Sequence, residues 1–179
     1  MTAWTRCSRS STDPTKEKHM STTKHDVTIE NDGQHGITIV REFDHPADRV
    51  YRALTEPELI GRWVGPRGYD NVEVTNDARH AGAWTLVQRG PDGDEFAFRG
   101  VFHGDPTPEL TLRTFEWLGL PGHVSFESLS VDDLGDGRSR VRTTSVFLTQ
   151  EDRDGIRANG MDDGVTEGYE RMDEVLATL

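Results

Sequence analysis

Lysine is absent from this chain after Lys24, and cysteine occurs once, at Cys7. A lone thiol excludes an internal disulfide and a thiolate metal cage, and it fits a reducing compartment, so a cytoplasmic setting is expected. The missing lysine reads as a bias of the source genome, not as mechanism. No apolar run approaches the roughly 18 residues that a membrane-spanning helix needs. Positive charge is scarce throughout: the formal net charge is -12, and residues 1–24 carry five cations against two acids, which leaves -15 for the remainder. A body this acidic repels nucleic acid and anionic membrane surfaces, and neither is expected as a partner.

Several catalytic signatures are missing too. The seven histidines, His19, His25, His35, His45, His80, His103 and His123, show no pair at helical ligand spacing and no HExxH, so no metal is expected. There is no GxSxG nucleophile elbow and no glycine-rich phosphate loop opening a helix. Carboxylates abound, but Asp132, Asp133, Asp152, Asp154, Asp162 and Asp163 fall in turns or on the backs of helices, where solvation is their default. No cofactor is implied.

What the chain does contain is a strong periodicity that changes along its length. Residues 1–24 are Ser/Thr-rich and basic without an apolar segment; they are expected to form a disordered arm, with Met20 an alternative start, ahead of a single domain over residues 25–179. Val27 and Ile29 alternate with polar residues in a candidate short strand. GITIVREFD at 36–44 alternates Ile37, Ile39 and Phe43 against Val40, the period of a β-strand. PADRVYRALTEPELIGRWVGP then supplies two short helices that meet at Thr55-Glu56-Pro57, and Gly65-Pro66 stops the second. Six short runs follow between residues 69 and 148, separated by turns such as PDG at 91–93 and GDG at 135–137. Short turns between successive strands demand antiparallel pairing.

Thr149 caps a segment with Glu151, Asp152 and Asp154 in its first turn. Beyond it, Met161, Val165, Tyr169, Met172, Leu176 and Leu179 recur at spacings of three and four, an amphipathic helix with its back in water. The expected fold is therefore α+β: a curved antiparallel sheet of about seven strands, in the order β-α-α-β6-α, wrapped around a long C-terminal helix. Gly160, Gly164 and Gly168 soften the first half of that helix by about 1 kcal/mol each relative to alanine, which suits either a gate or a simple helix start.

Three segments carry a family resemblance: REFDHPADRVYRALTEPELIGRWVGPRGY at 41–69, AGAWTLVQRGPDGDEFAFRGVF at 81–102 and GMDDGVTEGYERMDEVL at 160–176. With the element order, they make the chain resemble the START-like, helix-grip superfamily also called SRPBCC, in the branch named for homology to the activator of the heat-shock-protein-90 ATPase. The resemblance implies a sheet that grips the last helix and leaves an internal apolar cavity. The chain departs from the family's pattern at Val64, where a second Trp is common, and at Gly168, where a small polar residue is common, so a differently shaped cavity mouth is expected.

The expected cavity is lined by Trp63, Trp84, Leu86, Phe98, Phe102, Phe115, Trp117, Phe126, Met161, Val165 and Tyr169. Gln88, Arg99, His103, Glu116 and Glu127 are the polar candidates; alternation alone does not assign their faces, because a curved sheet tolerates bulges. The foremost functional expectation is a binding protein for a small apolar molecule. The alternatives are a cofactor-independent enzyme of the cyclase or hydratase kind, with one polar side chain moving a proton, and an interaction protein acting on a chaperone ATPase. A homodimer is left open.

Overall fold

Alternation dictates the sheet, and the sheet dictates where everything else sits. The computed structural model describes residues 25–179, so the arm expected over residues 1–24 lies outside the described residues. The elements are β1 (Thr28–Asp32), β2 (Gly36–Phe43), α1 (Ala47–Thr55), α2 (Pro57–Trp63), β3 (Asp70–Asn76), β4 (Ala83–Arg89), β5 (Glu95–Val101), β6 (Thr111–Trp117), β7 (Val124–Gly135), β8 (Arg138–Phe147), α3 (Gln150–Ala158) and α4 (Met161–Leu176).

The strands form one antiparallel sheet in the order β1-β2-β8-β7-β6-β5-β4-β3. β3 to β8 make a meander, because each is tied to the next by a turn too short for a crossover. β2 cannot join that meander at its start. It pairs instead with β8, and α1 and α2 carry the chain across to the opposite edge, where β3 begins. There are thus eight strands where about seven were expected, the extra one being the Val27/Ile29 segment, which pairs with β2 in full register.

One face of the sheet carries the helices. Along β2, Ile37, Ile39, Arg41 and Phe43 are buried on that face, together with Val131 of β7 and Val141 and Phe147 of β8. Val50 and Ala53 of α1, Leu59 of α2, and Tyr169, Met172, Val175 and Leu176 of α4 complete this principal core. Burying a side chain of that size stabilises the fold by about 1.5–3 kcal/mol. Leu179, expected to close the helical stripe, lies beyond the end of α4 and is 39% exposed.

The C-terminal helical region is two elements, not one. Thr149 accepts a hydrogen bond from Asp152 N at 3.1 Å and starts α3, as its sequence predicts. Gly160 then takes φ +90, a left-handed conformation that a side chain would strain, and redirects the chain into α4. Arg41 ties α4 to the sheet: its guanidinium donates to Tyr169 O at 2.9 Å, pairs with Asp173 and lies 4.5 Å over the Phe43 ring. Arg171 ties the same helix to α2, donating to the carbonyls of Arg62 and Gly65 at 3.0 Å each and so satisfying acceptors that a helix end leaves open.

Candidate functional site

A second, smaller core lies on the same face, over the other half of the sheet. Trp84 and Leu86 of β4 and Phe102 are buried there, with Val74, Phe98, Phe115 and Val64 packed around them. Among the described residues, Val64, just past α2, is the only apolar side chain from outside the β3–β6 half that packs on this cluster, and no apolar side chain of α4 does.

The packing of this cluster depends on one close approach. Gly100 faces Trp84 across β4 and β5, and a Cβ at Gly100 would stand 2.4 Å from the Trp84 indole nitrogen. Without it the indole crosses β5 and donates to Thr114 O of β6 at 3.2 Å. Val101 N completes the junction by donating to the Thr114 hydroxyl at 3.0 Å. Side chains therefore replace the regular ladder between β5 and β6 at this point.

Between the two cores runs a polar row. Arg113 of β6 stands opposite Glu127 of β7, and Glu127 stands opposite Ser145 of β8. Arg113 Nε donates to Glu127 Oε2 at 2.9 Å, and Ser145 Oγ donates to Glu127 Oε1 at 3.2 Å. The Arg113 guanidinium also lies 4.8 Å over the Trp84 ring, a cation–π arrangement that links the row to the smaller core. The pair is half-withdrawn from water, with side-chain exposures of 29% for Arg113 and 12% for Glu127.

Two further hydroxyls flank the row. Thr143 of β8 is hydrogen-bonded to the phenol of Tyr169, whose pKa burial pushes up while that bond and the charges of Arg41 and Arg113 draw it down. Ser125 of β7 is 2% exposed, faces Phe115 on one side and Phe147 on the other, and its Oγ has no hydrogen-bond partner among the described residues.

α3 is anchored beside this region by Asp152, which pairs with His123 in the β6–β7 turn. Burial would raise the Asp152 pKa, but hydrogen bonds from Thr149 and His123 and the charge of His123 outweigh it and hold the carboxyl below its usual range.

The sequence-predicted lining residues separate into groups. Trp84, Leu86, Phe98, Phe102 and Phe115 come together in the smaller core, with ring centroids 5.5 Å apart for Phe98 and Phe115 and 5.9 Å for Trp84 and Phe115. Trp117 shares their face, two residues along β6, and is half-buried. Trp63 belongs to the principal core, where it donates to Ala53 O at 2.8 Å and stacks on Tyr169. Met161, Val165 and Tyr169 pack there as well.

Phe126 is on the opposite face: it is 43% exposed and meets the His103 ring, because its neighbours Ser125 and Glu127 take the inner positions. Arg99, His103 and Glu116 lie on that outer face too, and Arg99 pairs with Glu116 there at 2.8 Å. Gln88 points inward, but its amide is spent on Val64 O and Asn71 Oδ1, which fastens β4 to the end of α2. Glu127 alone of the polar candidates reaches the row. Arg113, Ser125, Thr143 and Ser145 escaped the sequence reading, although alternation offered the signal: once Phe115 and Trp117 face inward, Arg113 must do so.

Among the described residues, no group of three or more His, Cys, Asp or Glu side chains could hold a metal ion, and no helix is long and apolar enough to cross a membrane.

The fold recurs in solved structures. A protein from Rhodobacter sphaeroides superposes with a TM-score of 0.79 at 22% identity, covering 86% of this chain and 99% of that one. One from Arthrobacter aurescens gives 0.76 at 24%, covering 85% and 92%. One from Silicibacter pomeroyi, titled AHSA1, gives 0.66 at 19%, covering 80% and 98%. At these identities the likeness is one of fold alone. No protein with a curated description matches the sequence. The family described as activator of Hsp90 ATPase homolog 1-like protein matches residues 44–177, so helices, meander and α4 all fall inside it, and the chain belongs to that family.

Proposed function

We propose that the protein binds a small, predominantly apolar molecule in a cavity along the seam between its two cores, as a cytoplasmic single-domain carrier or sensor over residues 25–179. The supporting observation is that Phe98, Phe115 and Trp117 face inward yet stay half-buried, beside a polar row, and that among the described residues no apolar side chain of α4 joins the Trp84, Leu86 and Phe102 cluster. Large rings left partly wet on an inner face gain most from a guest that completes their burial, and a few polar groups among them suffice to orient it. The departures from the family pattern fall at one place: Val64 is the cover on the smaller core, and a Cβ at Gly168 would stand 3.5 Å from Gly65 N. A valine where a second tryptophan is common leaves more of that core uncovered.

The test is a titration with the neutral dye Nile red, followed by its fluorescence and by the rise in Tm that any ligand of the native state produces. Saturable binding that weakens several-fold in Phe98→Ala and Phe115→Ala is expected. Absence of binding, or binding indifferent to both substitutions, would overturn the reading. Glu127 favours a second reading, catalysis by proton transfer, because it is a carboxylate within the same seam. Turnover that Glu127→Gln abolishes without loss of binding would favour it over carriage.

A further inference from the structure

The chemistry of the guest can be taken further, on the strength of the binding reading above. Ser125 presents a hydroxyl that is sealed from bulk water and has no partner among the described residues, in a protein whose other buried side-chain polar atoms in those residues are all hydrogen-bonded. Buried polar groups are bonded as a rule, so an orphan of this kind points to something that answers it from within the seam. Its strand neighbours are Phe115 and Phe147, one ring from each core, and Arg113 and Glu127 lie one alternation step along the same strands.

The row settles which complement fits. Both Glu127 oxygens are already engaged, one by Arg113 Nε and one by Ser145 Oγ, so the carboxylate has little left to offer a guest. Arg113 uses only Nε for a hydrogen bond among the described residues, which leaves its Nη groups as donors above the Trp84 ring. The Ser125 hydroxyl donates as well. What is on offer is therefore a pair of donors, whose complement is an acceptor oxygen. The charge of Arg113 is cancelled by Glu127 at 2.9 Å, so an incoming anion would find no spare cation to pair with in a poorly solvated setting, whereas a neutral oxygen needs none. Ring faces flank the site, with Phe98 and Phe115 inclined at 33°, and such walls suit a flat body.

We infer that the guest is a neutral, planar molecule bearing a carbonyl oxygen, received by the Ser125 hydroxyl and an Nη–H of Arg113. Fluorenone, fluorene and the carboxylate of fluorene test this, since they share a flat shape and differ in the oxygen they present. For the unmodified protein, fluorenone is expected to bind about tenfold more tightly than fluorene, the gain of a hydrogen bond to a charged donor, and more tightly than the carboxylate. In Ser125→Ala the preference for fluorenone over fluorene should fall toward unity while Tm rises by about 2–4 °C, because an unanswered hydroxyl has been removed. Equal affinities of the unmodified protein for fluorenone and fluorene would overturn the inference and leave the binding reading standing. Tightest binding of the carboxylate would overturn neutrality. Failure of all three to bind, with Nile red also excluded, would remove the binding reading itself. Should Ser125→Ala not fold, the ratio measured on the unmodified protein decides the matter alone.

Discussion

The two halves of the sheet are built from similar residues to opposite ends. Under α4, the β1-β2-β8-β7 half buries Ile37, Phe43, Val50, Val141, Met172 and Leu176 completely, and every charge taken inside has its partner fixed. Over β3 to β6 the rings are as large, yet Phe98, Phe115 and Trp117 keep part of their surface in water, and among the described residues Val64 is the one apolar side chain from outside that half on the cluster they adjoin. Stability is concentrated in the first half, so the second is free to hold unfinished surface without unfolding the domain.

The sharpest way to break this contrast is to remove an arginine from each half. Arg41→Ala strips Asp173 and Tyr169 O of their donor in a side chain only 1% exposed, and it should cost about 3–5 kcal/mol in urea denaturation. Arg113→Ala, with its side chain 29% exposed, should cost roughly 1–2 kcal/mol, because the guanidinium is less buried than that of Arg41 and makes, among the described residues, a single hydrogen bond, to Glu127, which Ser145 continues to hold. Equal losses would mean that both halves are equally closed. A smaller pair makes the same comparison without charge. Met172→Ala should cost about 2–5 kcal/mol, and Phe98→Ala roughly 1–2, since the ring is only half-buried to begin with.

How far the sequence carried these distinctions depended on the period being read. The helix stripe Met161, Val165, Tyr169, Met172, Leu176 and the strand alternation of Ile37, Ile39 and Phe43 were legible because an apolar residue repeats at the right interval. Arg41, inside that same alternation, was passed over, because charge in a strand reads as surface until a partner such as Asp173 is seen 132 residues away. The candidate lining was less legible, for a different reason. Arg99, Glu116 and His103 were kept as polar candidates with their faces left open, beside the lining residues Phe98, Phe115 and Phe102, although a straight strand sends adjacent residues to opposite faces and so forbids a shared one. Bulges were expected to allow it, but β5, β6 and most of β7 run without one, and the register shifts fall at Asn71/Glu73 and Asp133/Gly135. Alternation applied strictly would have rejected Arg99, His103, Glu116 and Phe126 and selected Arg113.

Tyr169, which joins α4 to the packed half, gives the contrast a pH signature. Its pKa is raised, chiefly by burial, so the folded state favours the neutral phenol. Its contribution should be complete below the unfolded tyrosine pKa of about 10 and be lost as pH rises through the higher folded value. In Tyr169→Phe the alkaline fall in unfolding free energy should be shallower than in the unmodified protein; an identical fall would show that the phenol ionises as freely in the core as in water.

The smallest effect decides where a guest enters. Alanine at Gly164 and Gly168 adds helix propensity to the first half of α4, about 0.5–1 kcal/mol each. Neither Cβ clashes: the nearest atoms are Pro66 Cδ at 3.9 Å and Gly65 N at 3.5 Å, both ordinary contacts. The double variant should therefore melt about 2–8 °C higher. If α4 were a gate, a stiffer helix would open less often and Nile red would associate more slowly. The packing argues against that, because α4 rests on the principal core and is held by Arg41 and Arg171, while the half-buried Phe98 and Phe115 belong to the other cluster, with Val64. A raised Tm with an unchanged association rate is the expected result. A slowed rate would shift the moving part from the sparsely covered half to the clamped one, and the division of labour between them would have to be redrawn.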